Sequence, residues 1–151
     1  MNQKNLISNL EKEGVLAVVT INDLEKTNYV CDALLNGGVS MIELTLRTDN
    51  AFKIINHISK NYAEIIVGAG TILSIAQLEK AIESGASFGV APGIDPYVIE
   101  ESKKLNFTFA PGICTPSDIQ LALNYEINLL KFFPAEYSGG LDYLKSISAP
   151  F

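Results

Sequence analysis

The stretch GVSMIELTLR, residues 38–47, contains the strand that best predicts how this chain folds. Side chains alternate between the two faces of a β-strand, so Ile42 and Leu44 would lie together on one face. Glu43 and Arg47 would lie on the opposite face. A pair of glycines ends a helical pattern before this stretch, and a second helical pattern follows it. We therefore expect a strand that packs its apolar face under helices and turns a carboxylate and a guanidinium toward an interior.

The same unit, a short apolar run followed by a helical segment, occurs six times along the chain. Successive runs begin roughly 20 to 26 residues apart, which is enough for a strand and a crossover helix. The predicted strands are 15–20, 39–46, 65–69, 88–91, 107–110 and 129–133. The predicted helices are 23–36, 50–61, 74–84, 96–105, 116–123 and 139–147. This repeat predicts an α/β fold with a parallel sheet, in a single domain over residues 1–151.

Two architectures contain six such units, an open doubly wound sheet and part of a closed (β/α)8 barrel. An open sheet binds its ligand at one switch point, whereas a barrel builds its site from the carboxyl ends of many strands. Here nearly every predicted strand is followed by polar residues, glycine or proline, in segments 43–47, 68–71, 92–93, 111–112 and 131–134. This distribution favours the TIM (β/α)8-barrel family. Because eight units need roughly 200 residues, we expect an incomplete barrel with about six of the eight βα units.

Composition and charge narrow the classes of partner. The chain is 48% hydrophobic and 19% charged, which is typical of a globular protein. Its formal net charge is −6, and no run of basic residues forms a stripe. Nucleic acids and anionic membranes are therefore not expected as partners. A small anionic substrate remains possible, because its binding needs only a few cations placed locally.

The predicted location is the cytoplasm. The first residues carry no signal-peptide pattern, and no apolar run approaches the ~18 residues of a membrane helix. Cys31 and Cys114 lie far apart without a CxxC spacing, which favours two free thiols in a reducing compartment. With one histidine, His57, and no carboxylate cluster, no bound metal is expected. The short stretch 68–70 lacks the spacing of a dinucleotide fingerprint.

The predicted sixth strand, LLKFF at 129–133, places a single lysine among four large apolar residues. Such a lysine usually extends its ammonium to solvent. An apolar interior disfavours the ammonium form, and a neutral amine attacks carbonyl carbon. Taken alone, Lys131 can be explained as structural or as a nucleophile. Taken alone, Glu43 and Arg47 can equally be explained as a structural ion pair.

Two segments together carry a resemblance to a known family. GVSMIELTLR at 38–47 resembles the first signature of the bacterial 2-keto-3-deoxy-6-phosphogluconate (KDPG) and 4-hydroxy-2-oxoglutarate (KHG) aldolases. KFFPAE at 131–136, followed by a glycine pair, resembles the second signature. Further similar segments lie at 67–71, 91–93 and 111–113. The resemblance extends from about residue 14 to residue 151. One departure is Glu126, which stands in the turn before the sixth strand where the second signature usually has glycine.

The resemblance implies a class I aldolase whose catalytic residues are Lys131 and Glu43. Lys131 matches the lysine that forms the Schiff base, and Glu43 matches the carboxylate that transfers protons. Such an enzyme cleaves KDPG to pyruvate and glyceraldehyde 3-phosphate, or KHG to pyruvate and glyoxylate, as part of carbohydrate metabolism such as the Entner–Doudoroff route. It needs no cofactor, and members of the family are usually trimers.

The resemblance also implies the residues that bind the 2-keto acid substrate. Arg47 matches the residue that holds the substrate carboxylate. Thr71, Pro92 and Phe133 match positions that line the pyruvyl pocket.

Two alternatives remain open from the sequence. The chain could be a truncated remnant of such an aldolase that catalyses nothing. It could also be a six-stranded, doubly wound module that binds a small anion. The second alternative predicts that the second and sixth strands share no site, so Glu43 and Lys131 would not meet.

Overall fold

Strands and helices alternate along the whole chain in the computed structural model, which describes residues 1–151. The helices are α1 Gln3–Glu13, α2 Leu24–Asn36, α3 Ala51–Asn61, α4 Ile75–Glu83, α5 Pro96–Lys104, α6 Pro116–Asn124 and α7 Gly140–Ser148, with a 3₁₀ turn at Glu136–Ser138. The strands are β1 Ala17–Val19, β2 Met41–Thr45, β3 Ile66–Gly70, β4 Gly89–Val90, β5 Phe109–Ala110, β6 Gly112–Ile113 and β7 Lys131–Phe132. Each predicted strand and helix is present, with most strands shorter than predicted.

All strand pairs are parallel and follow chain order. β1 to β5 form one sheet in the order β1-β2-β3-β4-β5, and β6 pairs with β7. β5 lies within the predicted fifth strand, and β6 is a short strand just beyond it, separated from β5 by Pro111, which has no backbone N–H to donate. The Pro111 carbonyl accepts a hydrogen bond from the backbone N–H of Lys131 at 2.9 Å. A doubly wound sheet would reverse its strand order at a switch point, and no reversal is present, so the open-sheet alternative is wrong.

The strand β2 has an apolar face toward the helices, as its alternation predicts. Ile42 and Leu44 belong to the larger buried cluster, which includes Ile54 and Ile58 of α3. Met41 points the other way, into a second cluster inside the curved sheet. Burying an aliphatic side chain of this size contributes about 1.5–3 kcal/mol, so the helix-facing cluster fixes the orientation of β2. Glu43 is consequently turned inward.

The helix α1 closes the amino-terminal end of the barrel. The side chain of Asn2 caps it by accepting a hydrogen bond from the Asn5 N–H, and Gly14 ends it in a left-handed conformation. Leu6 packs inside the curved sheet against Met41 and Phe88, which lie at the amino ends of β2 and β4. None of the helices combines the length and apolar character that crossing a bilayer requires.

Replacing Leu6 with alanine should lower the free energy of unfolding by about 2–4 kcal/mol, because it leaves a cavity where α1 meets the strand ends. Leu141→Ala, on the exposed side of α7, provides a matched control with a change within about 0.5 kcal/mol. Urea denaturation followed by circular dichroism measures both. Equal, small changes in the two variants would contradict the assignment of α1 to the core.

Candidate functional site

Lys131 and Glu43 form an ion pair across the interior of the barrel. The Lys131 Nζ lies 2.9 Å from Glu43 Oε1 and 3.2 Å from Glu43 Oε2. Glu43 is on β2 and Lys131 is on β7, so the pair joins strands that share no backbone ladder. The Glu43 side chain is only 2% exposed, whereas that of Lys131 is 26% exposed. The alternative of a doubly wound module, in which Glu43 and Lys131 would not meet, is therefore wrong.

The Glu43 carboxylate occupies space that the neighbouring strand leaves free. Thr45 pairs with Gly70 of β3, so Gly70 lies next to the carboxyl end of β2. A Cβ atom built on Gly70 would overlap the Glu43 carboxylate. Glycine at position 70 thus allows a buried carboxylate to stand beside the Lys131 amine.

The Lys131 amine lies between an aromatic ring and an apolar cavity. Its Nζ is 5.5 Å from the centre of the Phe133 ring, within the range of a cation–π contact. A cavity of about 230 Å³ lies against the ion pair and is lined mainly by aliphatic side chains, including Leu16, Val90 and Leu129. The Lys131 amine is thus partly shielded from water, but the side chain keeps enough exposure for a small molecule to reach it.

The four residues predicted to bind substrate all follow strands at the same end of the barrel. Arg47 follows β2, is exposed and forms no ion pair. Thr71 follows β3 and Pro92 closely follows β4, both half-buried. Phe133 follows β7 and contacts Lys131. Parallel strands bring their carboxyl ends to one face, so these residues border the same opening as the ion pair.

Thr71 has an unusual backbone conformation for a β-branched residue. Its φ of 65° lies in the left-handed region, which threonine rarely adopts. Such a conformation costs on the order of 1–3 kcal/mol and persists only where surrounding contacts hold it. The following residue, Ile72, donates its N–H to the Val90 carbonyl at 3.1 Å, which fixes the turn after β3.

Sequence analysis assigned no role to one pair of residues at the site, Thr20 and Thr45. The Oγ1 atoms of Thr20 and Thr45 lie 2.7 Å apart, at the carboxyl ends of β1 and β2. The alternation of β2 already placed Thr45 on the face of Glu43. Thr20 stood at the end of the first predicted strand, and nothing in the sequence indicated which strand end it would meet.

The histidine and the cysteines lie outside the ion pair. His57 joins α3 to α2 through a 2.7 Å hydrogen bond between its Nε2 and Asn28 Oδ1. Burial and the nearby Asp32 carboxylate raise the pKa of the Cys31 thiol to about 11, so this thiol stays protonated at neutral pH. Cys114 Sγ hydrogen-bonds to Ser138 Oγ at 3.1 Å in the loops after β6 and β7.

Comparison with protein families gives a match over residues 6–151 to the aldolase family described as KDPG and KHG aldolase. The KHG/KDPG aldolase of Escherichia coli K12 is 39% identical over 137 residues, which cover 91% of this chain and 64% of that protein. The 2-dehydro-3-deoxy-phosphogluconate aldolase of Haemophilus influenzae is 32% identical over 148 residues, covering 98% of this chain and 70% of that protein.

Solved structures show the same similarity. The KDPG aldolase of Zymomonas mobilis ZM4 with 3-phosphoglycerate matches with a TM-score of 0.93 at 33% identity, over 98% of this chain and 70% of that chain. The KDPG aldolase of Legionella pneumophila, with pyruvate captured as a covalent carbinolamine, matches with a TM-score of 0.87 at 32% identity, over 90% of this chain and 66% of that chain. The prediction of a barrel-family fold with about six βα units is confirmed.

The chain spans about 64% of the length of the Escherichia coli relative. Within that span the family model matches nearly every residue, including both segments that carry the ion pair. The chain therefore belongs to the KDPG and KHG aldolase family.

Proposed function

We propose that this chain is a class I aldolase domain that cleaves a 4-hydroxy-2-keto acid through an imine on Lys131. The observation that carries this proposal is the 2.9 Å contact between the Lys131 amine and the buried Glu43 carboxylate. A nucleophile within hydrogen-bond reach of a proton acceptor is the arrangement that covalent catalysis by an amine requires.

The first half of the reaction forms the imine. Glu43 accepts a proton from the Lys131 ammonium, and the neutral Nζ attacks the C2 carbonyl carbon of the substrate. The resulting carbinolamine loses its hydroxyl as water, with the proton supplied by Glu43. The product is an iminium that joins Nζ to C2.

The second half breaks the carbon–carbon bond. Glu43 removes the proton from the C4 hydroxyl, the C3–C4 bond breaks, and its electron pair moves to the iminium to give an enamine. The aldehyde that contains C4 leaves. Protonation of C3 and addition of water at C2 then release pyruvate and restore the lysine. Because the imine accepts the electrons, the proposed reaction uses no metal or cofactor.

The substrate carboxylate is assigned to Arg47. This guanidinium is exposed and has no ion-pair partner, so its donors are available for two-point binding of a carboxylate. Thr71, Pro92 and Phe133 would line the pyruvyl end. KDPG and KHG share that end, and we propose cleavage of either one, to pyruvate and glyceraldehyde 3-phosphate or to pyruvate and glyoxylate.

We also propose that residues 1–151 form a single, incomplete barrel domain that acts in the cytoplasm as a homo-oligomer, a trimer by family resemblance. The formal net charge of −6 supports a small-molecule substrate rather than a nucleic-acid partner.

Borohydride reduction in the presence of pyruvate should attach a stable adduct to Lys131, because the iminium is reduced to an amine that cannot hydrolyse. Intact-mass and peptide mass spectrometry detect the adduct and its position. Lys131→Ala should give none, whereas Lys145→Ala, on exposed α7, should label like the parent chain. A folded parent chain that gives no adduct would support the alternative of a non-catalytic remnant.

Glu43→Gln should form the pyruvate adduct more slowly and lose turnover by about 100-fold or more, because the amide keeps the shape but cannot transfer the protons that imine formation and carbon–carbon cleavage both need. Turnover is measured as pyruvate release from 4-hydroxy-2-oxoglutarate, coupled to NADH oxidation by lactate dehydrogenase. Glu83→Gln, on the exposed side of α4, is the control that should leave turnover unchanged. A folded Glu43→Gln variant that keeps its rate of adduct formation and its turnover would assign this residue a structural role.

Gly70→Ala should lower turnover by about 100-fold, because the new methyl group displaces the Glu43 carboxylate from the amine. Gly37→Ala is the matched control, since a Cβ there meets nothing closer than 3.4 Å. If both losses have the same cause, adding Gly70→Ala to Glu43→Gln should cost little further turnover. Additive losses would show that Gly70 acts through something other than this carboxylate.

A further inference from the structure

A pair of threonine hydroxyl groups lies at the rim of the proposed active site. Thr45 is the last residue of β2 and lies on the same strand face as Glu43. Thr20 follows β1 directly, and its Oγ1 is 2.7 Å from the Oγ1 of Thr45. Thr45 is 1% exposed, whereas Thr20 is exposed at the mouth of the site.

Burial decides which hydroxyl donates in this pair. The Thr45 hydroxyl has no other hydrogen-bond partner, and a buried O–H without an acceptor costs about 1–3 kcal/mol. Thr45 therefore donates to Thr20. A hydroxyl can accept and donate at once, so the Thr20 oxygen accepts this bond and keeps its own hydrogen unused. The unused hydrogen is therefore on Thr20, the exposed residue of the pair, and the hydrogen bond from Thr45 holds the Thr20 oxygen in place.

The strand order shows which part of a substrate lies near Thr20. β1 is on one side of β2, and β3 and β4 are on the other. Thr71 and Pro92, assigned to the pyruvyl end, follow β3 and β4. Thr20 thus lies on the opposite side of Glu43 from Thr71 and Pro92, where the carbons beyond C3 would extend.

We propose that Thr20 donates a hydrogen bond to the C4 oxygen of the substrate and that Thr45 is the residue that positions it. This inference rests on the proposed aldolase function and adds the contact that recognises a 4-hydroxy group. Donation from Thr20 to a lone pair of the C4 oxygen leaves the hydrogen on that oxygen free for Glu43 to remove. In the reverse reaction the same donor would polarise the aldehyde carbonyl.

Two ligands that differ by one hydroxyl test the contact. Borohydride trapping is measured against the concentration of 4-hydroxy-2-oxoglutarate and of 2-oxoglutarate, and any pyruvate adduct left by cleavage is counted with the first. The parent chain should reach half-maximal trapping at an about fivefold to tenfold lower concentration of the hydroxylated compound, as expected for one hydrogen bond. Thr20→Val should abolish this preference, and pyruvate should be trapped as before.

Conservative variants separate a hydrogen bond from a change in packing. Thr20→Ser keeps the donor and should keep the preference. Thr45→Val should reduce the preference for the hydroxylated compound, whereas Thr45→Ser should keep it. The reason is that the Thr45 hydroxyl acts only by orienting the Thr20 hydroxyl. Thr27→Val is the control, since the buried Thr27 hydroxyl of α2 donates to the carbonyl of Asp23, the residue that caps that helix, away from the site.

The outcomes separate this inference from the proposed function. A parent chain that does not trap pyruvate defeats the proposed function itself. A parent chain that traps pyruvate but keeps its hydroxyl preference in Thr20→Val overturns the inference and leaves the function intact. Equal weakening of pyruvate trapping in Thr20→Val would also overturn it, because the pair would then serve the pyruvyl pocket or the fold.

Discussion

The buried Glu43 carboxylate requires a cation, and the rest of the barrel is arranged so that one reaches it. Moving a carboxylate out of water costs several kcal/mol unless a charge and hydrogen bonds compensate. Lys131 is the sole hydrogen-bond partner of this side chain, and it comes from a strand 88 residues further along the chain. A flat sheet in chain order would hold β2 and β7 far apart. Curvature of the sheet brings them face to face, so the ion pair and the barrel geometry depend on each other.

The third strand makes room for this pair by carrying almost no side chains toward the interior. A Cβ on Gly68 would overlap the Phe88 ring, and one on Gly70 would overlap the Glu43 carboxylate. The outward residues of the same strand, Val67 and Ala69, are buried against the helices. β3 therefore packs mainly on its helix-facing side, and only Ile66, at its amino end, packs against the interior cluster. Its other face leaves space for the Phe88 ring before β4 and for the Glu43 carboxylate from β2, which places this carboxylate deep in the barrel rather than at the rim.

Local pattern predicted much of the fold, and tertiary contacts account for what it did not predict. The alternation in β2 and the helix-ending glycines after α2 are short-range features, so both elements could be located from sequence. The predicted strand at 15–20 shortens to Ala17–Val19 because only those residues pair with β2. Lys131 could be proposed as the nucleophile only because apolar residues flank it and because its segment resembles the second family signature. The contact between Thr20 and Thr45 depends on the register of two strands 25 residues apart, which composition does not encode.

The two ends of the proposed substrate meet environments of different rigidity. The proposed pyruvyl end would be bordered by Phe133 after β7 and by residues that follow β2, β3 and β4, three strands paired on both sides. The other end lies toward β1, an edge strand, where Val18 is 57% exposed beside the apolar cavity. In the proposed complex, discrimination at the enclosed end would rest on the Arg47 guanidinium and on the held turn at Thr71. At the open side, a single oriented hydroxyl can recognise the C4 oxygen without restricting what lies beyond it. Such an arrangement would accept aldehydes of different length while requiring the same 2-keto acid.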